Sequence, residues 1–312
     1  MNVLLTGASG FIGSHVLIQL LNSGHSVTAL VRNAKKVSEL AILPKVQVVE
    51  ADITDFKTIA SIVKGHDACV HVALNYNDTS AYDMLMSDTA PSIFLASECA
   101  KAGVSHFIYT SSTAANDSIY AVSNPAVIAH TNAHVTTASK HDPHTYYGAT
   151  KAATENFLFG ITGSTNMRVT IIRPGYTFGN PALPGGYTQP DRRFHTIAHA
   201  AANNKDIEIT KNDGTQFIWA PDLASIYSHA LKSNNNKKTY FGLSQSFTSW
   251  EYVALEAIRI CNSNSKIILH DLGWSSFPIM FDVSDIEKDF GLQFQSIPHI
   301  STHLSFLLAQ EK

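Results

Sequence analysis

The chain has 312 residues, of which 45% are apolar and 15% charged, and its formal net charge is −3. This composition supports a large buried core and excludes extensive disorder, and the length fits one large α/β domain with a smaller appended lobe. Without a long basic run, the charge argues against nucleic acid as the main partner. No apolar run is long enough to predict a transmembrane helix.

The cysteines indicate the compartment. Cys69, Cys99 and Cys261 are scattered along the chain and odd in number, so they predict reduced thiols rather than a disulfide framework or a metal site. The opening sequence MNVLLTGASG predicts a strand and a glycine turn, whereas a signal peptide would need a basic start and a longer apolar run. We therefore expect a cytoplasmic protein without membrane contact.

Strand and helix patterns alternate over the first half of the chain. Apolar, β-branched runs predict strands at residues 2–6, 26–31, 46–50, 68–72, 106–110 and 169–172. Helical patterns predict helices at 11–22, 34–43, 55–63, 82–102 and 146–159. This alternation predicts an α/β fold with a Rossmann-type, doubly wound parallel sheet covered by helices on both faces.

The alternation of strand and helix patterns ends after Arg173, Pro174 and Gly175. Residues 176–189 are rich in glycine and proline and predict a loop, and helical patterns follow near 194–203, 221–231, 249–261, 283–290 and 300–309. We therefore predict a Rossmann-type domain over residues 1–175. Residues 176–312 are predicted to form mainly a smaller, mixed α/β C-terminal lobe, with some chain returning to the first domain.

A glycine turn directly follows the first predicted strand. The sequence TGASGFIGSH places Gly7, Gly10 and Gly13 three residues apart at the start of the first helix. In this context Gly7 permits a tight turn, Gly10 lets a pyrophosphate approach the backbone, and Gly13 lets the helix pack against the strand. The unpaired N–H groups and positive dipole end of the helix favour phosphates, so the turn predicts a dinucleotide site.

The end of the second strand indicates which nicotinamide dinucleotide binds. The sequence ALVRNAKK places Arg32 at the strand end with Lys35 and Lys36 behind it, and no acidic residue precedes Glu39. An acidic residue would bind the ribose 2′-hydroxyl of NAD, whereas arginine suits the 2′-phosphate of NADP. NADP(H) is therefore favoured, with NAD(H) as the alternative. After the third strand, Asp52 is a candidate partner for the adenine amino group or, alternatively, a helix cap.

The sequence TYYGATK places two tyrosines and a lysine on a predicted helix. Residues four apart share a helix face, so Tyr147 lies over Lys151, whereas Tyr146 is rotated from Tyr147 by about 100°. The ammonium of Lys151 is expected to make the Tyr147 phenol more acidic and to hold the nicotinamide ribose. Tyr147 is thus predicted to exchange the carbonyl or alcohol proton while hydride moves to or from nicotinamide.

A further hydroxyl group is needed to orient the substrate oxygen. The segment IYTSSTA follows the fifth strand and supplies Ser111, Ser112 and Thr113. All three lie at the carboxyl edge of the predicted sheet, where ligands bind in such folds. The residues alone do not choose among them.

These motifs resemble, in this order, those of the extended short-chain dehydrogenase/reductase family, which includes nucleotide-sugar epimerases, dehydratases and dihydroflavonol-type reductases. TGASGFIGSH is similar to the family's cofactor turn, YYGATKAATE to its tyrosine–lysine helix, YTSSTA to its serine segment and IIRPGYTFGN to its arginine–proline segment. The resemblance covers most of the chain and implies an NAD(P)-dependent enzyme with a C-terminal substrate lobe. It puts the catalytic hydroxyl on Ser112, beside Tyr147 and Lys151, and implies a homodimer formed through the helices around 82–102 and 146–159.

The predicted site therefore combines a catalytic triad with a cofactor cleft. Its catalytic residues are Ser112, Tyr147 and Lys151, and no metal ligand is predicted. Its cofactor contacts are predicted to be Gly7, Ser9, Gly10, Phe11, Ile12, Gly13, Arg32, Asp52, Ile53, Ala73, Lys151 and Pro174.

Departures from the family pattern narrow the function. Thr113 and Ala114 stand where the dehydratases carry an Asp-Glu pair, which argues against dehydration. Tyr176 stands where nucleotide-sugar enzymes often carry an asparagine. After Gln216, the segment DGTQFIW lacks the arginine that normally grips a substrate phosphate. By contrast, the cofactor turn and the second strand are similar to those of the NADPH-dependent reductase branch.

The leading hypothesis is an NAD(P)-dependent oxidoreductase that acts on a carbonyl or secondary alcohol. The alternative is a nucleotide-sugar 4-epimerase with tightly bound NAD, in which Arg192 or Arg193 would bind the substrate phosphate instead. A non-catalytic dinucleotide-binding regulator is a third hypothesis, disfavoured because the serine, tyrosine and lysine are all present.

Segment 115–145 carries several histidines. His130 with His134, and His141 with His144, have the spacing of helical metal-ligand pairs. Neither cysteine nor glutamate accompanies them, so the segment predicts a loop that covers the substrate and sets specificity.

Overall fold

The structure is a computed structural model and describes residues 1–76, 80–116, 134–276 and 278–310. Its strands are β1 (Asn2–Thr6), β2 (Ser26–Val31), β3 (Val46–Glu50), β4 (Ala68–His71), β5 (His106–Thr110), β6 (His134–Val135), β7 (Arg168–Pro174), β8 (Thr177–Phe178), β9 (Ile207–Thr210), β10 (Gly214–Thr215), β11 (Ile218–Trp219), β12 (Lys238–Gly242), β13 (Thr248–Ser249), β14 (Ile267–His270) and β15 (Met280–Phe281). Its α-helices are α1 (Phe11–Asn22), α2 (Ser38–Ala41), α3 (Phe56–Ile62), α4 (Ala81–Met84), α5 (Ala90–Lys101), α6 (Tyr146–Ser164), α7 (Arg193–Ala202), α8 (Ala220–Lys232), α9 (Trp250–Cys261), α10 (Ser284–Phe290) and α11 (Ile297–Gln310).

Seven parallel strands form the central sheet in the order β12-β7-β5-β4-β1-β2-β3. Val3, for example, lies opposite Val27 of β2 on one side and Ala68 of β4 on the other. The strands are apolar runs because both faces of the sheet are covered. The strand order reverses between β1 and β4, and a crevice opens there at the carboxyl ends of the strands. The predicted Rossmann-type, doubly wound α/β fold is confirmed.

Helices cover the sheet on both faces. The core on one face contains Val16 and Leu20 of α1, Leu223 of α8 and Ile286 of α10, all buried against the strands. The core on the other face joins α3, α5 and α6, with Leu158 of α6 among its buried residues. Each helix buries one apolar face in this way, and its stability comes mainly from that packing.

The second half of the chain contributes to two bodies. Strand β12 joins the central sheet beside β7, and α8 packs on α1. Helices α7, α9 and α11 and the strand pair β9–β14 surround a separate apolar core that includes Phe178, Phe194 and Trp250. We refer to this group of helices and strands as the smaller lobe. Among the described helices none has the length and apolarity needed to cross a membrane.

The predicted helix over 82–102 differs from the observed one. A π-helical turn, Leu85–Thr89, separates α4 from α5. Pro91, at the start of α5, lacks an N–H group and cannot bond to the carbonyl four residues earlier, which favours a local change of helical pitch. The predicted helix over 34–43 is also interrupted, since a 3₁₀ turn at Ala34–Lys36 precedes the short α2.

Candidate active site

A cleft of about 500 Å³ lies at the carboxyl edge of the sheet, a volume suited to a small-molecule ligand. It runs from the glycine turn, past the ends of β2 and β4, to α6 and the lobe. Every catalytic and cofactor-binding residue predicted from the sequence lines it, namely Gly7, Ser9, Gly10, Phe11, Ile12, Gly13, Arg32, Asp52, Ile53, Ala73, Ser112, Tyr147, Lys151 and Pro174. The fold therefore brings residues from widely separated segments into one continuous surface.

The glycine turn has no room for side chains at two positions. Gly7 has a φ of +75°, and a Cβ atom there would lie 2.7 Å from the backbone nitrogen of Ala73. A Cβ atom on Gly13 would lie 1.9 Å from the carbonyl oxygen of Gly7. No side chain caps α1 at Gly10, so the first N–H groups of this helix remain available to an anion.

The ends of β2 and β3 form the far end of the cleft. Arg32 is exposed there, and its charge helps to lower the pKa of Asp52, after the larger effect of the hydrogen bonds from Thr54. The Oδ1 atom of Asp52 accepts from the Thr54 N–H at 2.8 Å and from the Thr54 hydroxyl at 2.7 Å. Asp55, rather than Asp52, caps α3 by accepting from the N–H of Thr58. Asp52, with its Oδ1 atom held by Thr54, lines this end of the cleft.

The tyrosine–lysine helix is α6, which Thr145 caps by accepting from the N–H of Gly148. Tyr147 lines the cleft, and its ring centroid lies 5.6 Å from the Nζ atom of Lys151. Tyr146 is 53% exposed and is not among the residues that line the cleft. The four-residue spacing therefore places Tyr147, and not Tyr146, beside the ammonium group.

The two serines after β5 have different surroundings. The hydroxyl of the buried Ser111 donates to the Glu155 carboxylate. The Ser112 Oγ atom accepts from the N–H of Ala114 at 3.1 Å. This contact leaves the O–H of Ser112 as a donor in the cleft, so Ser112 is suited to orient a substrate oxygen.

Lys151 is buried, with a side chain that is 2% exposed. Its Nζ atom lies 3.2 Å from Oδ2 of Asp88 and 5.1 Å from the ring centroid of Tyr109. Burial alone would lower the pKa of Lys151, but the nearby Tyr109, Asp88 and Tyr147 raise it overall. Lys151 is therefore an ammonium ion at neutral pH, as a group that stabilises a phenolate must be.

A buried hydrogen-bond chain connects the glycine strand to the π-helical turn. Burial, with the Lys151 charge, lowers the pKa of His71 to about 3, so its ring is neutral. Thr6 Oγ1 lies 2.6 Å from His71 Nδ1, and Ser92 Oγ lies 2.9 Å from His71 Nε2. Because Ser92 donates to the Asp88 carbonyl oxygen, it must accept from His71, which assigns the proton to Nε2. The chain ties both walls of the cleft together.

A buried ion pair supports the serine segment from behind. Arg173 donates to both carboxylate oxygens of Glu155, at 2.9 and 2.6 Å, and to Asn116 at 2.9 Å. His141 Nε2 lies 2.9 Å from the same carboxylate. Burial alone would raise the pKa of Glu155, but the hydrogen bonds from His141, Arg173 and Ser111 lower it overall. The network fixes both ends of the segment between β5 and α6.

The predicted substrate-covering loop over residues 115–145 falls largely outside the described residues, so this prediction stays untested. His141 belongs to the ion-pair network, and His134 lies in β6, which pairs with β15. His130 lies outside the described residues, so its pairing with His134 stays untested. The structure therefore gives His141 a role in holding the serine segment.

The lobe differs from the phosphate site that the family pattern would provide. Gln216 is buried, and its amide bonds to the main chain at Ser244 and Phe281. The Arg193 guanidinium stacks on Trp250, with 4.5 Å between its Cζ atom and the ring centroid, and pairs with Asp213 at 3.0 Å. Both groups thus already have protein partners.

The residues present fit a nicotinamide dinucleotide. The glycine turn leaves a cradle that a Cβ atom would fill, and the uncapped end of α1 suits a pyrophosphate. Arg32 and Asp52 occupy the end where the adenosine would lie, and Lys151 and Tyr147 occupy the nicotinamide end.

Several cleft residues were not predicted from the sequence, including Asn75, Ser87, Asp88, Ser92, Tyr187 and Thr188. Ser87 and Asp88 lie in the π-helical turn, which the helical pattern did not indicate. Little in the sequence indicates that Asp88 is buried, because acidic residues on helices are usually exposed to solvent. Tyr187 and Thr188 lie in a loop rich in glycine and proline, whose path the sequence does not define.

Known proteins share both the sequence pattern and the fold. The model of the NAD dependent epimerase/dehydratase family matches residues 3–241. The chain is 28% identical over 191 residues to the 3 beta-hydroxysteroid dehydrogenase/Delta 5-->4-isomerase of Mycobacterium tuberculosis, covering 57% of this chain and 47% of that protein. It is 35% identical over 121 residues to the dihydroflavonol 4-reductase of Callistephus chinensis, covering 35% of this chain and 33% of that protein. The chain thus spans about half, or less, of the length of these curated relatives.

A solved structure shares the whole architecture. The UDP-glucuronic acid 4-epimerase from Bacillus cereus, in complex with NAD, superposes with a TM-score of 0.81 at 17% identity and covers 100% of both chains. At this level of identity, the likeness shows a common fold.

Proposed function

Because the chain belongs to the NAD dependent epimerase/dehydratase family, we propose that it is an NAD(P)-dependent oxidoreductase acting on a carbonyl or secondary alcohol. The observation that carries the proposal is the convergence of Ser112, Tyr147 and Lys151 on the cleft that the glycine turn opens. The bound dinucleotide would supply the hydride acceptor or donor. The protein would supply orientation and proton transfer.

Each catalytic residue has a separate task in this mechanism. Ser112 donates its O–H to the substrate oxygen and so fixes the carbonyl in the cleft. Tyr147 gives a proton to that oxygen during reduction and takes it back during oxidation. Lys151 holds a permanent positive charge beside Tyr147 and stabilises the phenolate that forms when the proton leaves. Glu155 and Arg173 position Ser112 through Ser111.

The lobe favours reduction of a free carbonyl compound over epimerisation of a nucleotide sugar. A nucleotide sugar brings a diphosphate, which needs cationic or N–H donors. Of the two arginines considered as phosphate ligands, Arg193 is already engaged by Asp213 and Trp250, and the Gln216 amide is bonded to the main chain. Arg192 is exposed at the start of α7, so it is the arginine on which the epimerase alternative depends. The 4-epimerase with bound NAD remains the alternative, supported by the shared fold of the Bacillus cereus enzyme.

We further propose that NADP(H) is the preferred cofactor, with NAD(H) as the alternative. Arg32 lies at the end of β2 and is exposed to the cleft mouth, where it would bind a 2′-phosphate. In the turn that follows, the N–H of Ala34 already donates to Glu50 Oε2 at 2.7 Å, so it is not available to a ligand. We therefore assign the preference for NADP(H) to Arg32.

The sequence-based expectations of a homodimer and a cytoplasmic location belong to the same proposal. Residues on α4, the π-helical turn and α6 leave large apolar side chains exposed, among them Tyr82, Leu85, Met86 and Phe157. Such a face suits a second copy of this chain. The scattered cysteines, which form no disulfide among the described residues, suit a reducing compartment.

A ligand titration tests the function. A dinucleotide that binds the folded state raises the melting temperature by mass action. We expect NADPH to give a larger rise than NADH at equal concentration, and UDP-glucose or UDP-glucuronic acid to give none alone. Copurified NAD, with a shift by UDP-sugars and no response to NADPH, would instead establish the epimerase.

A further inference from the structure

The buried carboxylate of Asp88 has no task in the mechanism above. It lies in the π-helical turn Leu85–Thr89, and its side chain is 2% exposed. Its Oδ2 atom lies 3.2 Å from Lys151 Nζ and, among the described residues, has no hydrogen-bond partner beyond this ion pair. Burying a carboxylate is costly unless it is paired, so its place in the cleft requires a reason.

The π-helical turn places Asp88 at the reacting end of the cleft. Asp88 lines the cleft together with Tyr147 and Lys151. Its carbonyl oxygen accepts from the Ser92 hydroxyl at 2.6 Å, and Ser92 is in turn bonded to His71. Turns of this kind recur at functional sites because they redirect a side chain without breaking the helix. The turn therefore places the carboxylate beside the ammonium group of Lys151.

The other titratable groups around Lys151 carry no charge that would replace this carboxylate. His71 on β4 is neutral, since burial and Lys151 lower its pKa to about 3. Burial raises the pKa of Tyr109 on β5 and of Tyr227 on α8, so both phenols keep their protons. Tyr147 on α6 also faces the ammonium and is the group that exchanges a proton.

We propose that Asp88 is a positioning residue that neutralises Lys151 and thereby lets the cleft accept the oxidised, cationic form of nicotinamide. The inference rests on the function proposed above. The oxidised nicotinamide ring carries a positive charge that the reduced ring lacks. With Asp88 present, the ion pair is neutral as a whole, whereas without it the ammonium would repel the cationic ring in a site of low dielectric constant.

The test compares the affinities of the two redox forms of the cofactor. Asp88→Asn keeps the size of the side chain and removes its charge. We expect the ratio of the Kd for NADP⁺ to the Kd for NADPH to rise about tenfold or more, as expected for one unit charge within about 10 Å at an effective dielectric constant of about 20. Structural damage would weaken both forms alike and leave the ratio unchanged. Glu98→Gln, on α5 and paired with Lys101 outside the cleft, is the matched control.

A ratio within about twofold of the wild-type value, in a variant that still binds NADPH, overturns the inference. If Asp88→Asn does not fold, the same ratio is measured for Asp88→Ser, which is smaller and also uncharged and leaves Lys151 in place. Asp88→Ser should also bind NADP⁺ more weakly relative to NADPH, and a wild-type ratio in that variant overturns the inference. Wild-type protein that binds neither dinucleotide contradicts the proposed function itself, whereas normal wild-type binding with an unchanged ratio contradicts only the role of Asp88.

Discussion

Protonation of His71 should destabilise the fold when the pH falls. The side chain is 1% exposed, and burial with the Lys151 charge lowers its pKa to about 3 from 6.5. The unfolded chain therefore binds a proton in this interval that the folded chain does not. For a base with a lowered pKa, the stabilisation is complete above the unfolded value and is lost as the pH falls toward the folded one. At about pH 5 the loss is about 2 kcal/mol.

The replacement His71→Gln isolates this contribution. Glutamine retains one donor and one acceptor for Thr6 and Ser92 but does not titrate. Urea unfolding at about pH 7 and about pH 5 gives the free energy of unfolding of both proteins. The wild type should lose about 2 kcal/mol more than the variant over this interval. Identical losses would refute a neutral His71, and His270→Gln, which replaces an exposed histidine, should behave as the wild type.

Three further substitutions test the cleft and its support. Gly13→Ala should reduce the melting-temperature rise by NADPH, because its Cβ would lie 1.9 Å from the Gly7 carbonyl oxygen; Gly160→Ala, whose Cβ meets no atom within 4 Å, should retain the full rise. Arg32→Glu should lower the affinity for NADPH by about tenfold or more and leave the affinity for NADH unchanged or higher, as measured by calorimetric titration. An unchanged preference for NADPH would show that Arg32 does not bind the 2′-phosphate. Glu155→Gln should lower the free energy of unfolding by about 3–5 kcal/mol, because it leaves Arg173 buried without a counter-charge; a loss below about 1 kcal/mol would show that the pair is solvated.

Periodic patterns made most of the fold predictable. The strands and helices of the first half are apolar runs with clear spacing, and β1, β2, β3 and α1 begin and end where the sequence predicts. The glycine turn and the pair Tyr147–Lys151 are local features, so their spacing alone determined their geometry. The choice of Tyr147 over Tyr146 followed from helix geometry in the same way.

The remaining features depend on contacts between distant residues. The ion pair of Asp88 with Lys151 joins a π-helical turn to α6, and no spacing rule links residues so far apart in the chain. The difference between Ser111 and Ser112 appears only once Glu155 is placed behind the first of them. The engagement of Arg193 likewise depends on how its guanidinium meets the ring of Trp250.

The central claim is that Tyr147 transfers the proton that accompanies hydride transfer. The most direct measurement compares Tyr147→Phe with Tyr146→Phe in the oxidation of NADPH, followed by loss of the reduced-nicotinamide absorbance, on a panel of ketone and aldehyde substrates. Tyr147→Phe should abolish turnover while its Kd for NADPH stays near the wild-type value, and Tyr146→Phe should remain active. Full turnover by Tyr147→Phe on any substrate that the wild type reduces would contradict the mechanism.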